Sequence, residues 1–478
     1  MKSIRPLLFA GFLFASGSAL AGGPNILLIL ADDLGWSDLG CYGNELFETP
    51  HLDRFASEGI RFTQAYAAAP ICSASRAALL TGKTPARLGF EFVTKDKPGY
   101  QPNLTPLRAP PFTLNLDLAE TTFPDIQARS GRPSAFFGKW HLNQHYQRYL
   151  GWSPTHGPKA HGFVTAEEDF GSHPYAYWKD KKERTFLDLP KGVFPEDTLT
   201  DRAIDFITNP GGESFFCMLS HFYVHDPVHT RAKWLYEHYL EKIPDTHPRK
   251  EVLAKYGAMV TTLDHQVGRV LEALDDSGTS ALVVFTSDNG GHPNYAGNAP
   301  LRGSKWNLYE GGIRVPFITR FGKRKEGKTC DVPVSLIDLF TTFSEYREFT
   351  VPESVEGTSL RSLIQDSPHP ISPRPLYWHF PYYHPEKGYD EAPPEIGIDD
   401  GFTSQTRPHS AIRKGDWKLL QFYEEDRVEL YHLGDDSLEA NDRSETDQEI
   451  ADTLKKELAS LLRKSSARFP SPHPDYHP

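Results

Sequence analysis

Four short apolar runs in this sequence end in side chains that can ligate, attack or carry a proton. Asn25 to Ala31 leads into Asp32-Asp33, and Ser134 to Phe137 into Gly138-Lys139-Trp140-His141. Phe215 to Val224 is followed by His225-Asp226-Pro227, and Ala281 to Thr286 by Ser287-Asp288-Asn289-Gly290-Gly291. Asp32, Asp33, Asp288 and Asn289 offer only oxygen, which suits a hard divalent cation and disfavours zinc. Lys139 supplies fixed positive charge, while His141 and His225 supply groups that transfer protons near neutral pH. A fifth segment, Pro70-Ile71-Cys72-Ser73-Ala74-Ser75-Arg76, places a cysteine just before a helical run. The positive potential and free amides of a helix start stabilise a nucleophile or an anion there. Taken singly, an Asp-Asp pair is often a turn or a helix cap, and one histidine among 20 is usually a surface or capping residue. Four such runs together point to one convergent site.

The elements that must position these residues are legible in the same pattern. Each apolar run reads as a central strand of a parallel sheet buried on both faces, and ligands bind at the carboxyl edge of such sheets. Between them, Val252, Tyr256, Met259, Val260, Leu263, Val267, Val270, Leu271 and Leu274 recur at helical spacing, and Thr49 to Gly59 reads as another helix. Strand alternating with helix predicts an α/β fold, a large mixed and mostly parallel sheet sandwiched by helices. Prolines 368, 370, 373 and 375 punctuate a change of texture. Beyond them, Ser410 to Lys414, Trp417 to Tyr423 and Val428 to His432 read as strands, and Glu449 to Lys464 as an amphipathic helix. The expected organisation is a catalytic α/β domain over 22–370 and a smaller C-terminal α+β subdomain over 371–478.

Composition excludes other classes. With 478 residues, 38% hydrophobic and 12% aromatic, the chain can bury a large core. Its net charge of −12 argues against nucleic acid as a partner, because neutralising phosphates needs surplus Lys and Arg. The four cysteines share no metal-ligand spacing, and Cys41, Cys217 and Cys330 read as small buried side chains. Gly82-Lys83-Thr84 imitates the end of a phosphate loop, but Ala77 stands where that motif needs glycine. At the start, Lys2 and Arg5 precede an apolar stretch from Leu7 to Ala15 and an Ala19-Leu20-Ala21 cleavage site. This is the anatomy of a signal peptide over 1–21, predicting an exported protein, periplasmic or secreted, with no membrane span after cleavage.

The Cys72-to-Arg76 segment, with Leu80-Thr81-Gly82 and Arg87-Leu88-Gly89 behind it, resembles the signature of the formylglycine-dependent sulfatases, members of the alkaline phosphatase-like superfamily. Asp-Asp, Gly-Lys-Trp-His, Asp-Asn-Gly-Gly, Arg302-Gly303-Ser304-Lys305 and Glu310-Gly311-Gly312-Ile313-Arg314 follow in that family's order. Many members carry Pro where this chain has Ala74. The resemblance implies that a formylglycine-generating maturation enzyme oxidises Cys72 to formylglycine (3-oxoalanine), whose hydrated aldehyde is the nucleophile. It implies Ca²⁺, rather than Mg²⁺, held by Asp32, Asp33, Asp288, Asn289 and the modified residue 72. Lys139 and Lys305 would clamp the sulfate, Arg76 orient the formylglycine, and His141 take a proton during sulfate elimination. His225, with His229 as the alternate, would protonate the leaving oxygen, and Asp288 would accept the attacking hydroxyl's proton. Glu310 and Arg314 read as a structural ion pair, and Trp140 as a packing residue.

A sulfated carbohydrate is the expected substrate, with His379 and His384, in the aromatic stretch Tyr377 to His384, as its contacts. Trp378 and Phe380 in that stretch read equally well as strand core. Other readings are a phosphoester or phosphonate hydrolase of the same superfamily, a non-catalytic glycan-binding relative, and an ordinary thiol enzyme. N-terminal sequencing of exported protein is expected to start at Gly22, directly after Ala21; a chain that still begins at Met1 would rule out the cleaved leader.

Overall fold

The strand Asn25–Ala31 explains the layering of the molecule. Its alternate side chains Leu27, Ile29 and Ala31 enter one core with Val260 and Val267 of the helix Lys250–Asp276. Ile26, Leu28 and Leu30 enter a second core with Leu79 and Leu80 of the helix Cys72–Thr81 and Phe340 and Phe343 of the helix Asp338–Tyr346. A strand whose two faces are both apolar must be covered on both sides, and helices do so here. The computed structural model describes residues 23–177, 185–211, 214–322, 326–367, 371–384 and 406–477. The leader expected over 1–21 lies outside the described residues.

Among the described residues the large sheet has nine strands. Across it run Val334–Ser335, Ile60–Tyr66, Arg314–Phe321, Ala281–Ser287, Asn25–Ala31, Phe216–Ser220, Ser134–Gly138 and Thr165–Glu167, with Lys328–Cys330 pairing Ile60–Tyr66. Only Arg314–Phe321 runs against its neighbours, so the sheet is mixed and mostly parallel, an α/β fold. That strand is not evident from the sequence, because Pro316 has no amide to donate to a ladder. The sheet accommodates it by a register shift between Phe62 and Ala65 of the facing strand.

A second sheet is antiparallel, in the order Leu376–Phe380, His409–Lys414, Trp417–Phe422, Arg427–His432. One face packs Trp378, Phe380, Leu420 and Tyr431 against Tyr66, Trp306, Leu308 and Ile313. The other packs Ile412, Leu419 and Leu430 against Leu454, Leu458 and Leu462 of the helix Gln448–Lys464. Trp378 and Phe380 are thus strand core.

The strand expected from Phe215 to Val224 stops at Ser220. The following residues turn to serve the Asp-Asp loop, with the Asp32 amide donating to the Tyr223 carbonyl and the Val224 amide donating to that of Asp32, both at 2.8 Å. Close approach also governs the neighbouring strand end. Gly138 has φ +109°, and a Cβ there would lie 1.9 Å from the Ser220 carbonyl oxygen. Gly138→Ala is therefore expected to cost upward of about 2 kcal/mol in strain and displaced backbone. Chemical denaturation checks this, and an unchanged midpoint would contradict it.

Candidate active site

The carboxyl ends of the strands converge as the sequence pattern requires. Asp32 and Asp33 follow Asn25–Ala31, Asp288 and Asn289 follow Ala281–Ser287, and Lys139 and His141 follow Ser134–Gly138. Asp33 and His141 reach the site from left-handed backbone, at φ 62° and 55°. Cys72 is the first residue of its helix, so its side chain sits where the free amides face the sheet edge.

Three acids and three bases interlock, all nearly or fully buried. Lys139 Nζ donates to Asp32 Oδ2 at 2.5 Å, and Lys305 Nζ donates to Asp33 Oδ2 at 2.6 Å. Arg76 donates through Nε to Asp288 Oδ2 at 2.8 Å and through Nη1 to the Lys139 carbonyl and Ser220 Oγ at 2.7 and 2.6 Å. Cys72 Sγ lies 3.5 Å from Asp32 Oδ1 and 3.8 Å from Asp33 Oδ1. Burial works against the charge of Asp33, but the Lys305 and Lys139 ammonium groups outweigh it and hold the carboxyl well below the usual range. Burial raises Asp288 to about 6, although Arg76 opposes the rise. Burial likewise pushes the Cys72 thiol well up, despite Lys139 and Lys305. A thiol enzyme needs a thiolate, and burial keeps this sulfur protonated.

His225 bridges the cluster to its surroundings. Its Nδ1 lies 2.7 Å from the Asp226 carbonyl oxygen, which can only accept, so the network assigns the proton to Nδ1. Nε2 then turns a lone pair toward the Lys305 ammonium at 3.3 Å. Burial, Lys139 and Lys305 lower His225 to about 3, so the ring is neutral and Lys305 carries the proton of the pair. His229, the alternate donor, lies instead against Tyr177 and Phe186. Glu310 and Arg314 pair at 3.4 Å, and Trp140 is buried with its indole N–H on the His156 carbonyl.

One expectation is corrected. His379 cannot serve as a substrate contact, because Nδ1 is taken up by Ser410 Oγ at 2.7 Å and Nε2 by the Arg468 carbonyl at 3.0 Å. His384 keeps a place near the cluster through Trp306, its ring meeting the indole edge-on at 4.1 Å. Two partners were missed. Ser220 ends the strand Phe216–Ser220, and the same sheet-edge rule would have found it. Tyr175, whose hydroxyl lies 3.0 Å from His225 Nδ1, comes from a short turn with no sequence signal.

Asp32, Asp33, Cys72 and His225 place ligand atoms within 4.8 Å of one another, close enough to share a metal ion. The oxygen donors fit such an ion. Asn289 Oδ1 is buried with no hydrogen-bond partner among the described residues, an acceptor left over once its amide group has bonded Asp33. Buried acceptors are rarely left so.

Comparison with known proteins agrees with this arrangement. The family model described as Sulfatase matches residues 24–346. The chain belongs to the sulfatase family. A second model, N-sulphoglucosamine sulphohydrolase, C-terminal, matches residues 304–464 of this sulfatase. The N-acetylgalactosamine-6-sulfatase of Canis lupus familiaris is 32% identical over 404 residues, spanning 77% of this chain and 71% of its own. The steryl-sulfatase of Mus musculus is 30% identical over 468 residues, spanning 76% and 70%. The crystal structure of Ps i-CgsB in complex with k-i-k-neocarrahexaose superimposes with a TM-score of 0.70 at 25% identity, covering 94% and 95% of the two chains. The protein is a sulfuric ester hydrolase.

Arg76 is the tie between Asp288 and the strand ends. Arg76→Met is expected to lower activity at least about 10²-fold, as misplacing a reacting group does. Unaltered kcat/KM would show that the tie is dispensable.

Proposed function

We propose that this sulfatase hydrolyses a sulfate monoester on a carbohydrate, with Cys72 converted to formylglycine and Ca²⁺ held by Asp32, Asp33, Asp288 and Asn289. One observation carries the reading: the residue 72 side chain lies between the two acids that also take Lys139 and Lys305. Hydrated formylglycine would supply an oxygen nucleophile, and Ca²⁺ a positive centre that favours the anionic nucleophile and substrate. Lys139 and Lys305 place positive charge against the sulfate oxygens as negative charge shifts toward the leaving oxygen. Asp288 is the carboxylate raised into the range of a proton acceptor, and Arg76 keeps it in place. His141 Nδ1 is buried with no hydrogen-bond partner among the described residues, and burial with Lys139 and His145 lowers the ring's pKa well, so it is a neutral base. Lys305 and His225 hold the proton for the leaving oxygen, with Lys305 as its resting carrier.

The N-acetylgalactosamine-6-sulfatase relative and the sugar-bound neighbour support a carbohydrate, and His384 beside Trp306 is the remaining proposed contact. We also read residues 1–21 as a signal peptide, 22–370 as the catalytic domain and 371–478 as a subdomain. Export to the periplasm or beyond follows, along with a formylglycine-generating enzyme as maturation partner. Among the described residues, no helix is long and apolar enough to cross a membrane.

A peptide mass spectrum across residue 72, from a host that matures other sulfatases, is expected to read aldehyde in place of thiol, and Cys72→Ala to abolish turnover while the fold persists. A retained thiol in active enzyme would overturn the nucleophile. Sulfated amino sugars and galactans should be turned over faster than a steryl sulfate or a phosphate aryl ester; preference for the steroid would replace the carbohydrate reading. His225→Ala is expected to cost about 10²–10⁴-fold on esters of poor leaving groups, and His229→Ala far less. The opposite order would move the donor to His229. Chelation should remove activity and Ca²⁺ restore it, whereas full activity in metal-free protein would exclude the ion.

A further inference from the structure

Lys305 lies on a loop that the smaller sheet grips from the side away from the catalytic cluster. Arg302 donates to Tyr431 Oη at 2.8 Å and to the Glu439 carbonyl at 3.0 Å. The Leu308 amide donates to His409 Nε2 at 2.9 Å, and Tyr309 Oη to Glu429 Oε2 at 2.7 Å. The Glu310 amide donates to Glu439 Oε2 at 2.6 Å. Lys418 Nζ then bridges Glu310 Oε1 and Glu439 Oε1, both at 2.8 Å, with all three side chains 0% exposed. Glu310 also accepts from Tyr66 at 2.7 Å.

The other side of the same loop reaches the site. The Lys305 amide donates to the Gly291 carbonyl at 3.0 Å, and the Trp306 amide to that of Pro70, two residues before Cys72, at 2.8 Å. Within the loop, Asn307 donates to the Ser304 carbonyl and Gly311 to that of Arg302, which closes the segment into a compact unit. A displacement of residues 308–310 would therefore have to shift Lys305 or break these bonds. A buried lysine between two acids is a weak source of stability compared with apolar packing, but each of its charges has one acceptable position. Such a triad can therefore specify geometry where it adds little stability.

We infer that Lys418 and His409, on the smaller sheet, are positioning residues for Lys305, setting its ammonium against Asp33 and the sulfate without touching substrate. The inference rests on the proposed role of Lys305 as a sulfate clamp. It makes the second sheet part of the catalytic apparatus through the loop it holds.

The test is a double-mutant cycle on matured enzyme with an aryl sulfate, using Lys305→Ala, Lys418→Met and the pair. Lys418→Met alone should lower kcat/KM by about 10- to 100-fold and weaken inhibition by inorganic sulfate. In the Lys305→Ala background it should cost less than about twofold more. Losses that multiply would mean that Lys418 acts elsewhere, and wild-type activity of Lys418→Met would refute its role outright. Wild-type activity of Lys305→Ala would instead refute the clamp itself, and the inference with it. If Lys418→Met does not fold, His409→Leu, which removes the acceptor of the Leu308 amide along with a bond to the Arg407 carbonyl, enters the same cycle with the same outcomes required.

Discussion

The candidate active site depends on the mutual compensation of three buried carboxylates and three buried cations at one sheet edge. Taking an ion out of water costs several kcal/mol even after the protein relaxes, and the cost is recovered only where geometry and extra hydrogen bonds are both supplied. Here Lys139 meets Asp32, Lys305 meets Asp33 and Arg76 meets Asp288, so no member lacks a counter-charge. Because the set is formally balanced, a divalent ion added to it leaves a positive surplus for an anionic ester. That local surplus matters in a chain whose overall charge of −12 repels anions.

Balance of this kind demands accurate placement, and the fold supplies it from two directions. Parallel strands deliver Asp32, Lys139 and Asp288 at neighbouring ends, with register fixed by the shared pairing of Asn25–Ala31 with Phe216–Ser220 and Ala281–Ser287. Lys305 has no strand beneath it. Its loop is instead clasped between the Gly291 and Pro70 carbonyls on one side and the antiparallel sheet on the other. The two sheets differ in kind for a physical reason. The first is apolar on both faces and needs helices, whereas the second covers one face with a single amphipathic helix and presses the other against the body of the protein.

The parts of this design that are legible in the sequence are those encoded locally. Continuous apolar runs mark four central strands, and the residues after them mark the site, because both properties belong to contiguous sequence. The 3.6-residue recurrence from Val252 to Leu274 likewise marks the long helix Lys250–Asp276. Arg314–Phe321 escapes notice because Pro316 argues against a strand until the facing bulge is known. Tyr175 is invisible because its link to His225 spans 50 positions and no periodic pattern. His379 misleads for a related reason: its partners Ser410 and Arg468 come from distant segments, and only pairing reveals that its ring is already occupied.

Burial of Cys72 also sets a clock. Its side chain is 1% exposed, beside a loop whose far anchor, Glu439, is synthesised well over 300 residues after it. Another protein that works on this thiol must reach it while the segment is still open. At roughly 5–20 residues per second of synthesis, the interval between the emergence of Cys72 and of Glu439 lasts on the order of 20 to 70 seconds. Slower closure of the sheet would widen that interval, and a variant that folds faster would narrow it. The fold's completeness therefore competes in time with any chemistry that needs this thiol within reach.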